Sequence, residues 1–243
     1  MHRCAVYLMI FGWQIFCPIL AAWGQGVDVS AAISIHAAQS SRDPTKEKAS
    51  DGSGVVVWLS PLQALDPKPV ASAHSPYRLV QKNKQFIPHL LIVPTGTDVE
   101  FPNNDPFFHN VFSLFNGKRF DLGLYESGSS RSVRFDREGP SYIFCNIHPE
   151  MSAVVLALST PLFAVADAEN GFVLRDVPPG DYSLHVWIEG APPSFLEQQT
   201  RRVHLASGMV DLGQIAAPAS EAGSMSHTNK FGKPYTPEPP SIY

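Results

Sequence analysis

Short apolar segments separated by turn residues constrain the fold of this chain more than any other feature of its sequence. The 243 residues include 22 prolines and 17 glycines, and the apolar runs between them beyond residue 24 are mostly of strand length. From Val27 to Ile35, apolar residues alternate with more polar ones, which is the two-residue period of a half-buried β-strand. Because no segment has the period of an amphipathic helix, the sequence predicts an all-β chain.

The first residues have the organisation of a secretory signal peptide. Arg3 precedes an apolar run over 5–22, and the small residues Ala22 and Gly24 form an A-x-A-like cleavage site. A membrane anchor is the alternative, but glycine, glutamine and proline residues interrupt the run, and a span prefers about 20 unbroken apolar residues. We therefore predict a cleaved signal over 1–24, no stable membrane insertion afterwards, and a periplasmic or secreted protein.

Four residues with metal-binding side chains are placed around the end of one predicted strand. Cys145, His148 and Met151 follow the spacing C-x2-H-x2-M, and His109 lies on a strand upstream. Two imidazoles, a thiolate and a thioether are the donor set of a blue-copper electron-transfer site, whereas zinc sites use cysteine, histidine and carboxylate. Ordinary packing would explain each residue singly, but it does not explain all four at one strand end. Ser141 stands where a dinuclear centre needs a second cysteine, so we predict one mononuclear type 1 copper.

This motif and its surroundings resemble the cupredoxins, specifically the plastocyanin, amicyanin and pseudoazurin group. The resemblance covers 76–159 and is carried by these segments: 94–101 (PTGTDVEF), Asn104-Asp105, His109-Asn110-Val111 and 142–151 (YIFCNIHPEM). It implies a Greek-key β-sandwich in which His109, Cys145 and His148 ligate copper in one plane and Met151 ligates it axially. It also implies that the ring edge of His148 reaches solvent, and that a redox protein partner docks there.

The residues after this segment resemble a second family, the carboxypeptidase regulatory-like β-sandwich. The matching stretch is 170–187 (NGFVLRDVPPGDYSLHVW), within a module that we predict over 160–217. The resemblance implies a small, non-catalytic module of secreted proteins, and the combination is similar to methylamine-utilisation-type copper proteins. N-terminal strands and a linker occupy 27–75, and two alternatives remain for the strands within 27–60: they complete this second sandwich, or they form an added layer. Residues 218–243 show no periodic pattern of apolar residues, so we predict that they form a flexible tail.

Together these features predict an exported copper protein that transfers single electrons between redox partners, such as a dehydrogenase or a cytochrome. A copper-binding, storage or assembly protein without a shuttle role is the alternative. The formal net charge of −4 argues against a nucleic-acid partner. The sequence also lacks hydrolase, phosphate-loop and dinucleotide motifs and paired His-x-His ligands, so we predict that it is not an enzyme.

Two further residues are predicted to lie near the copper loops. Asn110 follows the first ligand, and we expect it to tie the ligand loops together by hydrogen bonding. His89 lies in an apolar segment after Pro88, which leaves two interpretations. It is either a core histidine with satisfied hydrogen bonds or a neighbour of the copper loop.

Overall fold

The computed structural model of the chain describes residues 26–36, 54–65, 76–114, 117–167, 171–206, 208–218 and 228–235. The signal peptide predicted over 1–24 lies outside these residues. The described residues form seventeen strands and one helix, α1 (Pro193–Gln199), so the all-β prediction is confirmed. The sequence pattern missed α1 because seven residues are too few to show a helical period. Within the described ranges, no helix has the length and apolar character needed to cross a bilayer.

The strands follow one another in chain order. The first nine are β1 (Val27–His36), β2 (Val55–Pro61), β3 (Tyr77–Arg78), β4 (Val80–Lys82), β5 (Gln85–Ile87), β6 (Leu90–Pro94), β7 (Thr97–Pro102), β8 (His109–Ser113) and β9 (Phe120–Tyr125). The other eight are β10 (Ser130–Phe135), β11 (Gly139–Phe144), β12 (Ser152–Leu158), β13 (Phe163–Val165), β14 (Gly171–Val177), β15 (Gly180–Ile188), β16 (Arg201–Leu205) and β17 (Met209–Pro218).

Strands β3 to β12 form the first sandwich. One sheet has the order β10-β7-β3 and the other has the order β6-β12-β11-β8-β9, with β4 and β5 as a separate two-stranded ribbon. The chain crosses between the two sheets after β6, β7, β9 and β10, which gives Greek-key connections. The buried cluster of this sandwich includes Phe101, Phe135, Cys145 and Met151. Two of the four predicted ligands are therefore part of the hydrophobic core.

The N-terminal strands β1 and β2 belong to a second sandwich. β1 pairs antiparallel with β14 and parallel with β17, and β2 lies between β13 and β15. The resulting sheets, β14-β1-β17 and β13-β2-β15-β16, share a separate hydrophobic core. This pairing decides between the two alternatives for the early strands: they complete the sandwich formed by the later residues and are not an added layer.

The two sandwiches pack against each other through a third hydrophobic cluster. The side chains of β12 divide by the two-residue period of a strand, and Ala153, Val155 and Ala157 join the first core. The alternate residues belong to the shared cluster, whose fully buried members are Val154, Leu156, Leu158, Val56 and Trp187. β12 is therefore buried on both faces from Ala153 to Leu158, which explains the unbroken apolar sequence of these residues.

A histidine–glutamate pair also joins the two sandwiches. His89, between β5 and β6, places Nε2 2.7 Å from Glu189 Oε1 and Nδ1 3.2 Å from the carbonyl oxygen of Ser152. Because both ring nitrogens face oxygen acceptors, only the protonated imidazolium donates to both. The hydrogen bond to Glu189 raises the pKa of His89 above its ordinary value. Since Ser152 directly follows Met151, His89 is a neighbour of the predicted copper loop, and its side chain is 42% exposed.

We expect the folded chain to lose stability as the pH rises through the raised pKa of His89. A group whose pKa is higher in the folded state stabilises it fully below the unfolded pKa, and this contribution disappears above the folded pKa. Because the His89 side chain is 42% exposed, solvent screening limits the effect to about 1 kcal/mol or less. Thermal unfolding measured at a series of pH values from below about 6.5, the ordinary pKa of histidine, upwards should show the loss.

The Glu189→Gln variant should lose this pH dependence, because the carboxylate that raises the pKa is removed. His204→Gln is the matched control, since His204 pairs with Asp181 at 2.7 Å on the exposed surface. It should leave the dependence due to His89 in place. An unchanged pH dependence in Glu189→Gln would contradict the assignment to this pair.

Candidate metal centre

Three of the predicted ligands converge at one end of the first sandwich. His109 begins β8, Cys145 directly follows β11, and His148 lies in the loop that leads to β12. The Sγ atom of Cys145 is 3.8 Å from His109 Nδ1 and 3.6 Å from His148 Nδ1, and the two Nδ1 atoms are 3.1 Å apart. All three residues are buried. Two imidazole nitrogens and one sulfur thus face a common point.

Met151 closes the loop that carries Cys145 and His148. Its N–H donates to the carbonyl of His148 at 3.1 Å, and its own carbonyl accepts from the N–H of Cys145 at 3.2 Å. The side chain is fully buried in the same cluster as Cys145. The loop is therefore folded back on itself, with the backbone of Met151 beside that of Cys145.

A buried carboxylate orients His109. Asp105 Oδ2 lies 2.8 Å from His109 Nε2, and the same carboxylate accepts the backbone N–H groups of Asn83 at 2.6 Å and Lys84 at 2.9 Å. Burial by itself would raise the pKa of Asp105, but the hydrogen bonds from Lys84, His109 and Asn83 lower it below its ordinary value. An ionised Asp105 accepts a hydrogen bond from Nε2–H of His109, which leaves the Nδ1 lone pair directed at the cluster.

The turn that carries Asp105 is built by Asn103. Its Nδ2 donates to the carbonyl of Phe107 at 2.8 Å, and its Oδ1 accepts the N–H of Asp105 at 3.0 Å. The turn residues over 103–106 (NNDP) are a sequence signal for this turn. They do not indicate the contact between Asp105 and His109. A carboxylate four residues before a predicted ligand is the signal that could have suggested it.

Backbone donors surround the sulfur of Cys145. Burial raises the pKa of the Cys145 thiol, and the N–H groups of Asn110, Ile147 and His148 oppose this rise. Such donors favour the charged form of a sulfur ligand. The side chain of Asn110 donates to Asp121 Oδ1 at 2.8 Å. Asn110 thus faces Cys145 through its backbone N–H, whereas its side chain binds Asp121 of β9 and not the loop that carries Cys145 and His148.

An aromatic side chain covers the imidazoles. The ring centroid of Phe107 lies 5.2 Å from that of His109 and 5.6 Å from that of His148. His148 is 6% exposed, so the solvent-reaching ring edge expected from the resemblance is largely covered. The exposed apolar surface beside the site belongs to Phe107, Phe108 and Ile147.

Part of the predicted flexible tail lies against the site. Within 218–243, the described residues 228–235 form a turn that contacts the Cys145 loop. The N–H of Lys230 donates to Asn146 Oδ1 at 2.9 Å, and the Tyr235 hydroxyl donates to the carbonyl of Cys145 at 2.7 Å. These eight residues therefore make defined contacts with the Cys145 loop, which the sequence did not indicate. The sequence held no periodic signal because the contacts are made to residues far away in the chain.

Comparisons with known proteins give only distant similarity. No protein-family description matches the chain, and no curated protein matches it. Among solved structures, the chain is similar to a purple cupredoxin from Nitrosopumilus maritimus at 24% identity and a TM-score of 0.31, over 34% of this chain and 100% of that one. It is similar to an amicyanin variant in its Cu(I) form at 18% identity and a TM-score of 0.33, over 37% of this chain and 92% of that one.

A third similar structure is the copper-containing nitrite reductase of Thermus scotoductus. The identity is 24% and the TM-score is 0.33, with 41% of this chain aligned to 27% of that enzyme. This chain therefore matches only about a quarter of the reductase. Similarities of this size carry no argument about activity, and the chemistry of the site depends on the contacts described above.

Proposed function

We propose that this chain is an exported type 1 copper protein that binds one copper and transfers single electrons. The ligands would be His109, Cys145, His148 and Met151. The observation that carries the proposal is the convergence of two Nδ1 atoms and one Sγ atom at a buried point. Copper bound there would supply one-electron exchange between Cu(II) and Cu(I).

The donor set fits copper better than other metals. Imidazole suits Cu(II), soft sulfur suits Cu(I), and a weak axial thioether is typical of blue-copper sites. The hydrogen bond to Asp105 leaves Nδ1 of His109 available, and backbone N–H groups favour a charged sulfur at Cys145. The burial of these residues excludes water and keeps the ligand positions fixed. Zinc sites do not use a methionine thioether as a ligand, so zinc would leave Met151 without a role.

The surface beside His148 is suited to brief contact with a redox protein. Phe107, Phe108 and Ile147 expose apolar side chains there. Weak electron-transfer encounters use small interfaces, which allow fast release of the partner. We propose that a dehydrogenase or a cytochrome docks on this face, in the periplasm or outside the cell.

The remaining strands would form a non-catalytic module. We propose a copper domain over 76–159 and a carboxypeptidase regulatory-like sandwich over 160–217 that β1 and β2 complete. The module would stabilise the copper domain, because its residues Val56 and Trp187 cover the outer face of β12 in the shared cluster. We propose no enzymatic role for this chain.

Copper titration of the purified protein tests the proposed function. We expect one equivalent of Cu(II) to produce an intense visible thiolate-to-copper absorption, and voltammetry to show one reversible couple. The storage alternative instead predicts a colourless Cu(I) complex without reversible voltammetry. A Cu(II)-loaded protein without the thiolate absorption would overturn the carrier proposal.

We expect Asp105→Asn to weaken copper binding about 10- to 100-fold, the range seen when partners of metal ligands are replaced. The amide has one oxygen in place of the two that now accept from His109, Asn83 and Lys84. Competition with a chelator of known affinity measures the change. Asp136→Asn is the matched control, because Asp136 pairs with Lys118 at the surface, and it should bind copper as the parent does. Equal affinities in both variants would contradict the role of Asp105.

A further inference from the structure

We propose that residues 228–235, called the C-terminal strap below, form a positioning element of the metal centre that holds the Cys145 loop closed. The proposal rests on the proposed function where it concerns copper, and its structural part concerns the metal-free protein. None of the strap residues is a proposed ligand, and all of them lie far from the proposed ligands in sequence.

The strap has a defined shape of its own. Asn229 Oδ1 accepts the N–H groups of Phe231 and Lys233, both at 3.0 Å, and the N–H of Asn229 donates to the carbonyl of Lys233 at 2.9 Å. The N–H of Gly232 donates to the carbonyl of Asn229, also at 2.9 Å. An asparagine that bonds the backbone in this way stabilises a turn.

Two hydrogen bonds fasten the strap to the sulfur-bearing segment. The Tyr235 hydroxyl donates to the carbonyl of Cys145 at 2.7 Å, and the backbone N–H of Lys230 donates to Asn146 Oδ1 at 2.9 Å. The N–H of Cys145 is already bound to the carbonyl of Met151. The strap thus satisfies the remaining backbone polar group of the proposed sulfur ligand.

A second connection runs to the segment that carries His109. Lys230 Nζ lies 2.8 Å from Asp121 Oδ2, and the other oxygen of Asp121 accepts from Asn110 Nδ2. Asn110 directly follows His109 in the chain. Lys230 therefore connects the two segments that carry the proposed ligands. Its backbone binds Asn146, beside Cys145, and its side chain binds Asp121, which in turn binds Asn110.

These contacts imply a measurable effect on loop opening. With the strap in place, Cys145 is fully buried, so a reagent reaches its thiol only when the loop opens. Loss of one hydrogen bond changes such an equilibrium by about fivefold, which is the equivalent of roughly 1 kcal/mol. Tyr235→Phe and Lys230→Met should each accelerate opening by about this factor. A chain that ends at residue 227 should show a larger increase.

Alkylation of the metal-free full-length protein by iodoacetamide provides the test, with modification at Cys145 followed by mass spectrometry. Tyr182→Phe is the matched control, because the Tyr182 hydroxyl donates to the carbonyl of Pro178 at 2.6 Å in the second sandwich. It removes the same kind of hydrogen bond away from the site and should leave the Cys145 rate unchanged. Lys233→Met controls for the loss of a strap lysine, since the bond of Lys233 to Asn229 uses its backbone.

The copper-loaded protein gives a second readout. Copper transfer to a chelator should accelerate in Tyr235→Phe and Lys230→Met by a factor similar to that of alkylation, with no acceleration in the controls. Parental rates of both alkylation and copper release in the two strap variants would overturn the strap proposal, even if the parent shows its thiolate absorption. Faster alkylation in a protein that never develops that absorption would support the strap and overturn the copper function.

Discussion

Replacement of Cys145 by serine is expected to abolish the visible thiolate-to-copper absorption while the protein stays folded. The absorption requires a charged sulfur, and a serine hydroxyl is neither soft nor ionised near neutral pH. The N–H groups of Asn110, Ile147 and His148 that face the sulfur can donate to the serine oxygen. The loss of folding stability should therefore be about 1 kcal/mol. Absorption spectra and thermal unfolding of the same samples measure both effects.

Met151→Leu is the companion variant for this prediction. Leucine has a similar volume and no sulfur, so the core around residue 151 should remain filled. As the proposed axial ligand, Met151 would tune the reduction potential, whereas the absorption arises from Cys145. We expect Met151→Leu to keep the absorption and to shift the potential. Absorption that persists in Cys145→Ser would show that the sulfur ligand has been assigned wrongly.

Shortening Leu156 to alanine is expected to destabilise the whole chain by about 3 kcal/mol or more, because it opens a cavity in a fully buried cluster. Leu156 has no exposed surface and shares its cluster with Val56 and Trp187 of the second sandwich. The cavity would therefore remove contacts from both sandwiches at once. Denaturant unfolding of the copper-loaded protein, followed by tryptophan fluorescence and by loss of the expected thiolate-to-copper absorption, should show a lower midpoint with both probes.

Leu124→Ala is the control for this loss, because the same side-chain atoms are removed from a residue that is 57% exposed. A surface substitution of this kind should change stability by no more than about 0.5 kcal/mol. If Leu156→Ala costs no more than Leu124→Ala, the shared cluster does not hold the two sandwiches together. A lower midpoint with only one probe would contradict the expectation that both sandwiches depend on it.

The sequence predicted well where the signal is local. The alternation that begins at Val27 indicated a strand because side chains on a strand repeat every two residues. The spacing of Cys145, His148 and Met151 also lies within one loop, so the donor types could be found by inspection. The turn before His109 was likewise visible from its asparagines and proline.

Other features could not be predicted because they depend on residues far apart in the chain. The pairing of β1 with both β14 and β17 is one example, since many strands have an equivalent apolar pattern. The apolar run that forms β12 is another example. The sequence of this run does not show whether its two faces are buried in two different cores or in the same core. From the sequence, Asp105 is recognisable only as a turn residue, and its hydrogen bond with His109 is seen only in the folded structure.

By itself, the sequence determined the class of secondary structure and the chemical types of the four candidate ligands, because strand period and side-chain chemistry are properties of neighbouring residues. Only the tertiary structure decided which sheets the N-terminal strands join and what surrounds the candidate ligands. The bond from Tyr235 to Cys145 joins residues 90 positions apart. No local pattern encodes such a contact, since it forms only when packing of the sandwich brings these distant segments together.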